Sequence, residues 1–443
     1  MDCSRCSSPC NPDPNISTVK GKGGSLWLIN TMTCNFACPA CWQGDHAWTW
    51  QKESGLVKFM PDNVLAASLE FCKVWAMPDR FTLTWYGGEP LLQWDAIKRW
   101  TPVFKQALGV DGRVVTVSIT TNGSLLDADK MAFLDQEQVG ILLSLDGPPH
   151  MHNRSRILAG GGPSWDTIPV EEIAKWRPEV ELAWTIHPAH PPVPSDLDAL
   201  LDIGFSRINF NINWLLPWPP EQCEKLRDFI YYAVRLAIQS KQGKTTRNFK
   251  TNWLEQRGHA LVRGGGTRLE KPCGTGLGML AVTPEGYLYP SQEMAFKVFE
   301  PDRAPGTAEF YRVGNVLSDP VVDYAKLPQI MDLRTDQMVP PEGYSCEPCP
   351  YRSMCLGSCH CRVVGYDGVD PSNRMKVEPG WCPSLLALGD AVARAMLREG
   401  YLILREDSAD KSLPSRTDAV AHRQLSIVDL DAKLDRVLAK LGE

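Results

Sequence analysis

The amino-acid sequence predicts an α/β protein: a barrel-like parallel sheet built from repeated strand-helix units, followed by a smaller cysteine-rich domain. Three observations carry this expectation. Six short β-prone runs, Leu26–Asn30, Phe81–Tyr86, Val114–Thr120, Gly140–Leu145, Val180–Ile186 and Arg207–Ile212, follow one another in the first half of the chain. Stretches with helical spacing, Asp62–Met77, Leu91–Leu108 and Leu125–Gln138, lie between most of them, and such alternation implies parallel βαβ units. Polar motifs follow the ends of the first four runs, where the loops of a parallel sheet converge on one ligand-binding face.

Composition narrows the class. The chain has 443 residues, 43% of them apolar, and a formal net charge of −6 without an extended basic run. That size accommodates a large catalytic domain and a smaller one, and the charge argues against nucleic acid or an anionic membrane as the main partner. The first 24 residues have no apolar signal core and no apolar run approaches a bilayer span, so a cytoplasmic protein is expected. The boundaries expected are a cysteine-containing tail over 1–24, the barrel over 25–250, a cysteine-rich domain over 265–384, and a helix and charged tail over 385–443. A linker containing Gly264-Gly265-Gly266 precedes the second domain. The helical stretch Pro220–Ser240 places Leu226, Phe229, Ile230, Ala233, Val234 and Ala237 on one face, so Cys223, like Cys72, reads as packing.

The 15 cysteines are unusual for a protein without a secretory signal, and most are clustered. They group as Cys3, Cys6 and Cys10; as Cys34, Cys38 and Cys41; and as Cys346, Cys349, Cys355, Cys359, Cys361 and Cys382. Close C-x-x-C spacings favour metal or cluster binding over disulfides. In Cys34-Asn35-Phe36-Ala37-Cys38-Pro39-Ala40-Cys41, three thiolates on one loop suit three irons of a four-iron cluster and leave the fourth iron open. An open iron can chelate the amino and carboxylate groups of S-adenosylmethionine, whose reductive cleavage releases a 5′-deoxyadenosyl radical. A structural zinc loop with His46 as fourth ligand is the alternative.

With Gly87-Gly88-Glu89-Pro90 after the second run, Thr120-Thr121-Asn122-Gly123 after the third and Ser144-Leu145-Asp146-Gly147 after the fourth, the chain resembles the radical S-adenosylmethionine superfamily. The resemblance implies a partial (β/α)6 TIM-like barrel and a [4Fe-4S] cluster on Cys34, Cys38 and Cys41. It further implies that Gly87, Gly88 and Glu89 meet the amino group of the cofactor, that Ser144 contacts it, and that Arg156 pairs with its carboxylate. Thr120, Thr121 and Asn122 line the same pocket or cap the next helix at Ser124.

The run Cys346-x2-Cys349-x5-Cys355-x3-Cys359, with Cys382 beyond, is similar to the SPASM extension of peptide-modifying and sulfatase-maturing radical enzymes. By that resemblance Cys346, Cys349, Cys355 and Cys382 hold an auxiliary iron-sulfur cluster, zinc being the alternative for four cysteines. A second auxiliary cluster would use Cys273 and Cys359, with Cys361 as a substitute, because Ser291 stands where relatives place a cysteine. One or two auxiliary clusters are therefore expected.

The function implied is hydrogen abstraction from, and oxidative modification or crosslinking of, a ribosomally made peptide, with a flavodoxin- or ferredoxin-type reductant. The few residues ahead of the first strand leave no room for a winged-helix peptide-recognition domain, so leader recognition is expected to need a separate leader-recognition protein or another surface. The alternatives are formylglycine formation, as in anaerobic sulfatase maturases, and modification of a small molecule. Maturases carry an Asp base after the hairpin cysteine; Gln292 stands there, leaving Glu293 as the candidate proton acceptor. Trp42, Trp48, Trp50 and Trp85 are candidate packing surfaces for a peptide near the mouth.

Overall fold

The computed structural model describes residues 23–39, 41, 59–258, 278–297, 311–318, 322, 339–346, 349, 351, 355, 377 and 379–401. The expectations on Cys3, Cys6, Cys10, Trp42, His46, Trp48, Trp50, Cys273, Cys359, Cys361 and the tail helix lie outside the described residues. Six parallel strands form the centre: β1 (Ser25–Thr31), β2 (Arg80–Gly87), β3 (Val114–Thr121), β4 (Gly140–Ser144), β5 (Glu181–Ile186) and β6 (Arg207–Ile212). They pair in sequence order, β1 with β2 through β5 with β6, all parallel. Leu26, Leu28, Leu83, Trp85, Ile119, Leu143 and Leu182 are wholly buried, as strands covered on both faces require.

The helices between them are α1 (Asp62–Trp75), α2 (Trp94–Leu108), α3 (Ala128–Gln136), α4 (Pro149–Ser155), α5 (Val170–Trp176) and α6 (Pro194–Ile203), with α7 (Pro220–Lys241) after β6. Three boundaries depart from the periodicity. Helix α1 stops at Trp75, with Ala76 already extended, because Pro78 restricts the residue before it. The stretch predicted as one helix from Leu91 divides into a 3-10 turn, Pro90–Gln93, and α2. Helix α3 starts at Ala128, because Asp127 accepts from the Lys130 N–H at 2.8 Å and so caps it, not Ser124.

The sheet is longer than the periodicity implies. A short β7 (Lys250–Thr251) pairs with β6, and β8 (Met279–Val282) pairs parallel with β1. Strand β9 (Tyr287–Tyr289) returns antiparallel to β8 and is joined by β10 (Gly314–Asn315), giving one ten-stranded sheet in the order β10-β9-β8-β1-β2-β3-β4-β5-β6-β7. The sheet therefore runs across the sequence boundary expected near residues 250–265. After β9 comes the short helix α8 (Gln292–Lys297). Helix α9 (Trp381–Arg398) begins earlier than the amphipathic pattern suggests, so Cys382 lies in its first turn. It packs along α7, where Arg235 Nε and Gln239 Nε2 donate to Glu399 at 2.7 and 2.9 Å. Trp85 is not a surface for a peptide: it is wholly buried, donates Nε1–H to Thr101 Oγ1 at 3.0 Å and packs edge-on against Phe104. No described helix is long and apolar enough to cross a membrane.

Beyond Thr251 the edge is completed by a side chain. The Asn252 amide accepts from the Phe210 N–H at 2.9 Å and donates to the Phe210 carbonyl at 3.0 Å, standing in for one more residue of ladder. Because Phe210 is buried in an aromatic cluster with Trp184, Phe229 and Trp253, Asn252→Ala strands both groups, and an unpaired buried polar group costs about 1–3 kcal/mol. Chemical denaturation of the variant is expected to show a loss in that range with an unchanged m-value, and an unchanged midpoint would contradict it.

Candidate active site

The loop after β1 carries Cys34, Cys38 and Cys41 and rests on the loop after β2. The N–H groups of Gly88 and Glu89 donate to the carbonyls of Thr31 and Thr33 at 2.9 and 2.8 Å. A Cβ on Gly87 would overlap the Thr31 carbonyl oxygen, and one on Gly88 the Thr33 carbonyl oxygen; Gly87 also has φ 149°. The paired glycines are thus required by two backbones passing in contact. On its other side the loop is strapped by residues after α4. Ala37 N–H donates to the Ile157 carbonyl at 2.8 Å, and Ala159 N–H to the Asn35 carbonyl at 2.9 Å, with Phe36 and Leu158 bridged antiparallel.

This double support brings the three thiols together. Phe36 N–H points at Cys34 Sγ at 3.4 Å and Asn122 Nδ2 lies 4.0 Å from it. Burial pushes the Cys34 thiol up to about 12, with Glu89, Cys38 and Cys41 adding to the rise, and the Cys38 thiol up to about 11. Bare thiolates at Cys34 and Cys38 are therefore disfavoured here, and a cationic metal bound to them would stabilise the deprotonated form. Among the described residues no three His, Cys, Asp or Glu side chains converge on a single ion. A four-iron cluster distributes its cysteines over separate irons. The donor set, three thiols with an N–H···S contact and a nearby cation, fits such a cluster.

Glu89 binds the second loop to the third. Its carboxylate, wholly buried, accepts from Leu91 N–H at 3.0 Å, Thr121 Oγ1–H at 2.7 Å and Asn122 N–H at 2.7 Å. No cation pairs with it among the described residues, and burial pushes it up to about 7 despite the three donors. Asn122 in turn donates to Asn35 Oδ1 at 2.9 Å and accepts from the backbone and hydroxyl of Ser124, while Asn35 Nδ2 donates to Ser124 Oγ at 2.8 Å. The amides of Asn35 and Asn122 therefore join the cysteine loop to the third strand end. Asn35 was not foreseen, because nothing local marks the residue after a ligand cysteine.

Across the mouth, Arg156 follows α4 and donates through Nε and Nη2 to the two oxygens of Asp146 at 2.9 and 3.1 Å. Burial opposes its charge, but Asp146, with Cys38 and Cys41 nearby, holds it protonated. The guanidinium thus lies between a carboxylate and the cysteine loop. Asp146 also accepts from Thr185 N–H at 2.7 Å, which links the fourth and fifth strand ends.

Buried His152 keeps this pair in place. Its Nδ1 accepts from Asp146 N–H at 3.2 Å, so Nε2 carries the proton and meets Ser164 Oγ at 3.1 Å, whose own hydroxyl donates to the Arg156 carbonyl at 2.8 Å. Burial, with Arg156 beside it, pushes the imidazole down to about 3, so it stays neutral. Asp146 stood inside a quoted motif, but only burial reveals its role and that of His152. Ser144 ends β4 half-buried, and its hydroxyl engages no partner among the described residues.

The structure also places Cys382 beside Cys346, Cys349 and Cys355. Burial pushes its thiol up to about 12, with those three cysteines adding to the rise. Trp381 Nε1–H donates to Cys355 Sγ at 3.2 Å. At the hairpin, Ser291 is 2% exposed and its hydroxyl accepts from Glu293 N–H at 3.1 Å, so it caps α8. Glu293 is half-buried in the first turn of that helix, and the side-chain oxygen of Gln292 is buried without a partner among the described residues.

Known proteins resemble parts of this chain in sequence and most of it in fold. Over 143 residues, 30% of this chain and 31% of the relative, the chain is 28% identical to the serine-type anaerobic sulfatase-maturating enzyme of Bacteroides thetaiotaomicron. Over 135 residues, 29% of this chain and 28% of the relative, it is 24% identical to the radical SAM cyclopropyl synthase TigE of Paramaledivibacter caminithermalis. The chain thus matches less than a third of each relative's length. Among solved structures, native anSMEcpe with bound AdoMet superposes with a TM-score of 0.65 at 16% identity, covering 85% of this chain and 100% of that one. SuiB of Streptococcus suis gives 0.50 at 13% identity, covering 79% and 76%. These likenesses establish the fold. The family profile described as Radical SAM superfamily matches residues 29–175, from within β1 into α5 and over all four motif-bearing loops.

Proposed function

We propose that this chain cleaves S-adenosylmethionine reductively and uses the radical to abstract hydrogen from a peptide, leaving an oxidised or crosslinked residue. The observation that carries the first half is the grouping of Cys34, Cys38 and Cys41 on one half-buried loop held against Gly87 and Gly88. When bound there, a four-iron cluster supplies the electron and the coordination that reductive cleavage of the sulfonium requires.

The chain's own residues prepare the rest of the mouth. Glu89 is a buried anion with no cationic partner among the described residues, suited to the cofactor's amino group at the loop it closes. Arg156 has Nε and one Nη2 proton committed to Asp146, leaving Nη1 to meet the cofactor's carboxylate. The free hydroxyl of Ser144 lies on the neighbouring strand end, and Asn122 holds the cysteine loop through Asn35. The peptide half rests on similarity to a sulfatase-maturating enzyme and to TigE, and on the three cysteines gathered around Cys382 for an auxiliary cluster. Formylglycine formation is less favoured because Gln292 replaces the expected base, with Glu293 one residue further on.

Two outcomes test this reading. Anaerobically reconstituted protein is expected to form 5′-deoxyadenosine with a reductant. The Cys34→Ala/Cys38→Ala/Cys41→Ala variant is expected to lose that product and about four irons while keeping auxiliary iron. Deuterium passing from a perdeuterated peptide library into 5′-deoxyadenosine would support the peptide class, an aldehyde on a Ser or Cys peptide would favour the maturase reaction, and no transfer from any peptide would sink both.

The second test uses Glu89 in the iron-free protein. Its folded value lies near 7 and its unfolded value near 4.5, so the stability it contributes is present below about pH 4.5 and is lost as pH rises through 7. The span corresponds to on the order of 3 kcal/mol. Glu89→Gln is expected to lack this decline when thermal stability is followed from pH 4.5 to 8, and identical pH profiles for both proteins would refute the assignment.

A further inference from the structure

Trp381 occupies the junction between the barrel and the cysteine group around Cys382. It opens α9, one residue before Cys382, and its ring is 4% exposed. One face packs on Trp214, with centroids 4.3 Å apart and planes tilted by 57°. Trp214 follows β6, so this contact lies on the sixth strand-end loop of the barrel. Gly380 N–H donates to the Trp214 carbonyl at 3.1 Å, and a Cβ on Gly380 would strike the carbonyl oxygens of Trp214 and Leu216. The backbone entering Trp381 is therefore pinned, and the indole has one direction in which to aim its N–H. That direction is Cys355 Sγ, 3.2 Å away.

The choice of acceptor is the informative point. A buried indole N–H usually finds a partner; among the described residues Trp85 uses Thr101 Oγ1 and Trp218 the Asn213 carbonyl, both oxygens, while buried Trp184 Nε1 has none. A thiol sulfur is a weak acceptor, whereas a thiolate is a charged one and accepts about twice as strongly. An indole donor held from behind and aimed at sulfur is well matched to an anionic sulfur that gains electron density on reduction. Arg257, in the turn at Trp253–Gly258, is close enough to Cys355 for the two charges to be coupled, and it acts in the same direction.

We infer that Trp381 sets the reduction potential of the iron-sulfur centre on Cys346, Cys349, Cys355 and Cys382, raising it through the indole N–H to Cys355 Sγ. The inference rests on the auxiliary-cluster part of the reading above. A hydrogen bond to a cluster sulfur stabilises the more negative, reduced state over the oxidised one, which is how such contacts move potentials upward. Trp381 also ties that centre to the barrel mouth, because the ring that donates to Cys355 is the ring that Trp214 supports. It is a positioning and tuning residue and needs no contact with substrate.

The test is an EPR-monitored redox titration in the full-length Cys34→Ala/Cys38→Ala/Cys41→Ala background, where only auxiliary iron remains. Trp381→Phe keeps a ring against Trp214 and removes the N–H; Trp214→Phe keeps the N–H and alters the support. Trp381→Phe is expected to retain its iron and sulfide while the equilibrium for reduction falls about tenfold, ~59 mV for one electron. Trp214→Phe is expected to shift it by less. An unchanged potential in iron-loaded Trp381→Phe overturns the inference and leaves the auxiliary cluster intact.

A second measurement needs no variant that could misfold. The reduced centre in protein labelled with indole-15N tryptophan is expected to show an exchangeable proton and a 15N coupling in ENDOR spectra, and their absence overturns the inference. A background protein that binds no iron-sulfur centre removes the underlying reading, and the inference with it.

Discussion

Two backbones in contact at the mouth of the barrel, Thr31–Thr33 of the first loop and Gly87–Glu89 of the second, determine where the three cysteines stand. Their hydrogen bonds, from Gly88 and Glu89 to Thr31 and Thr33, need a separation that no side chain between them would permit. The cysteine loop has little regular structure of its own. It takes its shape from this surface below and from the strap at Ile157–Ala159 beside it. Glu89 extends the same constraint to the third strand end by accepting from Thr121 and Asn122, at the cost of burying a carboxylate without a cation.

The charges of the mouth follow from this arrangement. Glu89 is buried on one side of the half-buried cysteine loop, and Arg156 lies near Cys38 and Cys41 on the other, protonated and steered by Asp146. Neutral His152 completes the support by hydrogen bonds alone: through the Asp146 backbone on one nitrogen, and through Ser164 to the Arg156 backbone on the other. Preplaced, water-excluded partners of this kind suit the zwitterionic ligand of the proposed reaction better than net charge would.

The segment after residue 278 is continuous with the barrel in two ways. Strand β8 joins β1 directly, and α9 lies along α7 with Glu399 bound by Arg235 and Gln239. The cysteines around Cys382 are therefore held by the same framework as the cysteine loop, with Trp214 and Trp381 in contact between them. Relative motion of the two sites would break both the sheet pairing and this aromatic contact.

Much of this was legible in the residues alone. The six central strands, their order, and the position of each polar motif after a strand end follow from alternation between period-2 and helical patterning, which reflects burial on two faces or one. The cysteine spacing and the Gly-Gly-Glu loop were readable for the same reason: close ligand spacing and paired glycines are local requirements. Local signals also misled where a distant partner intervened, as when Asn122 engaged Ser124 and left Asp127 to cap α3, or when the core took Trp85.

What only the tertiary structure decided are contacts between groups far apart in the chain. No periodicity announces that β8 pairs with β1, that Asn252 completes the ladder at Phe210, that Asp146 takes Arg156 through two oxygens, or that Trp381 turns its N–H to Cys355. Each depends on burial making an unpaired polar group costly, and burial is a property of the folded chain. The sequence by itself determined that the candidate cysteine and Gly-Gly-Glu motifs follow strand ends; the fold determined which side chains there face one another.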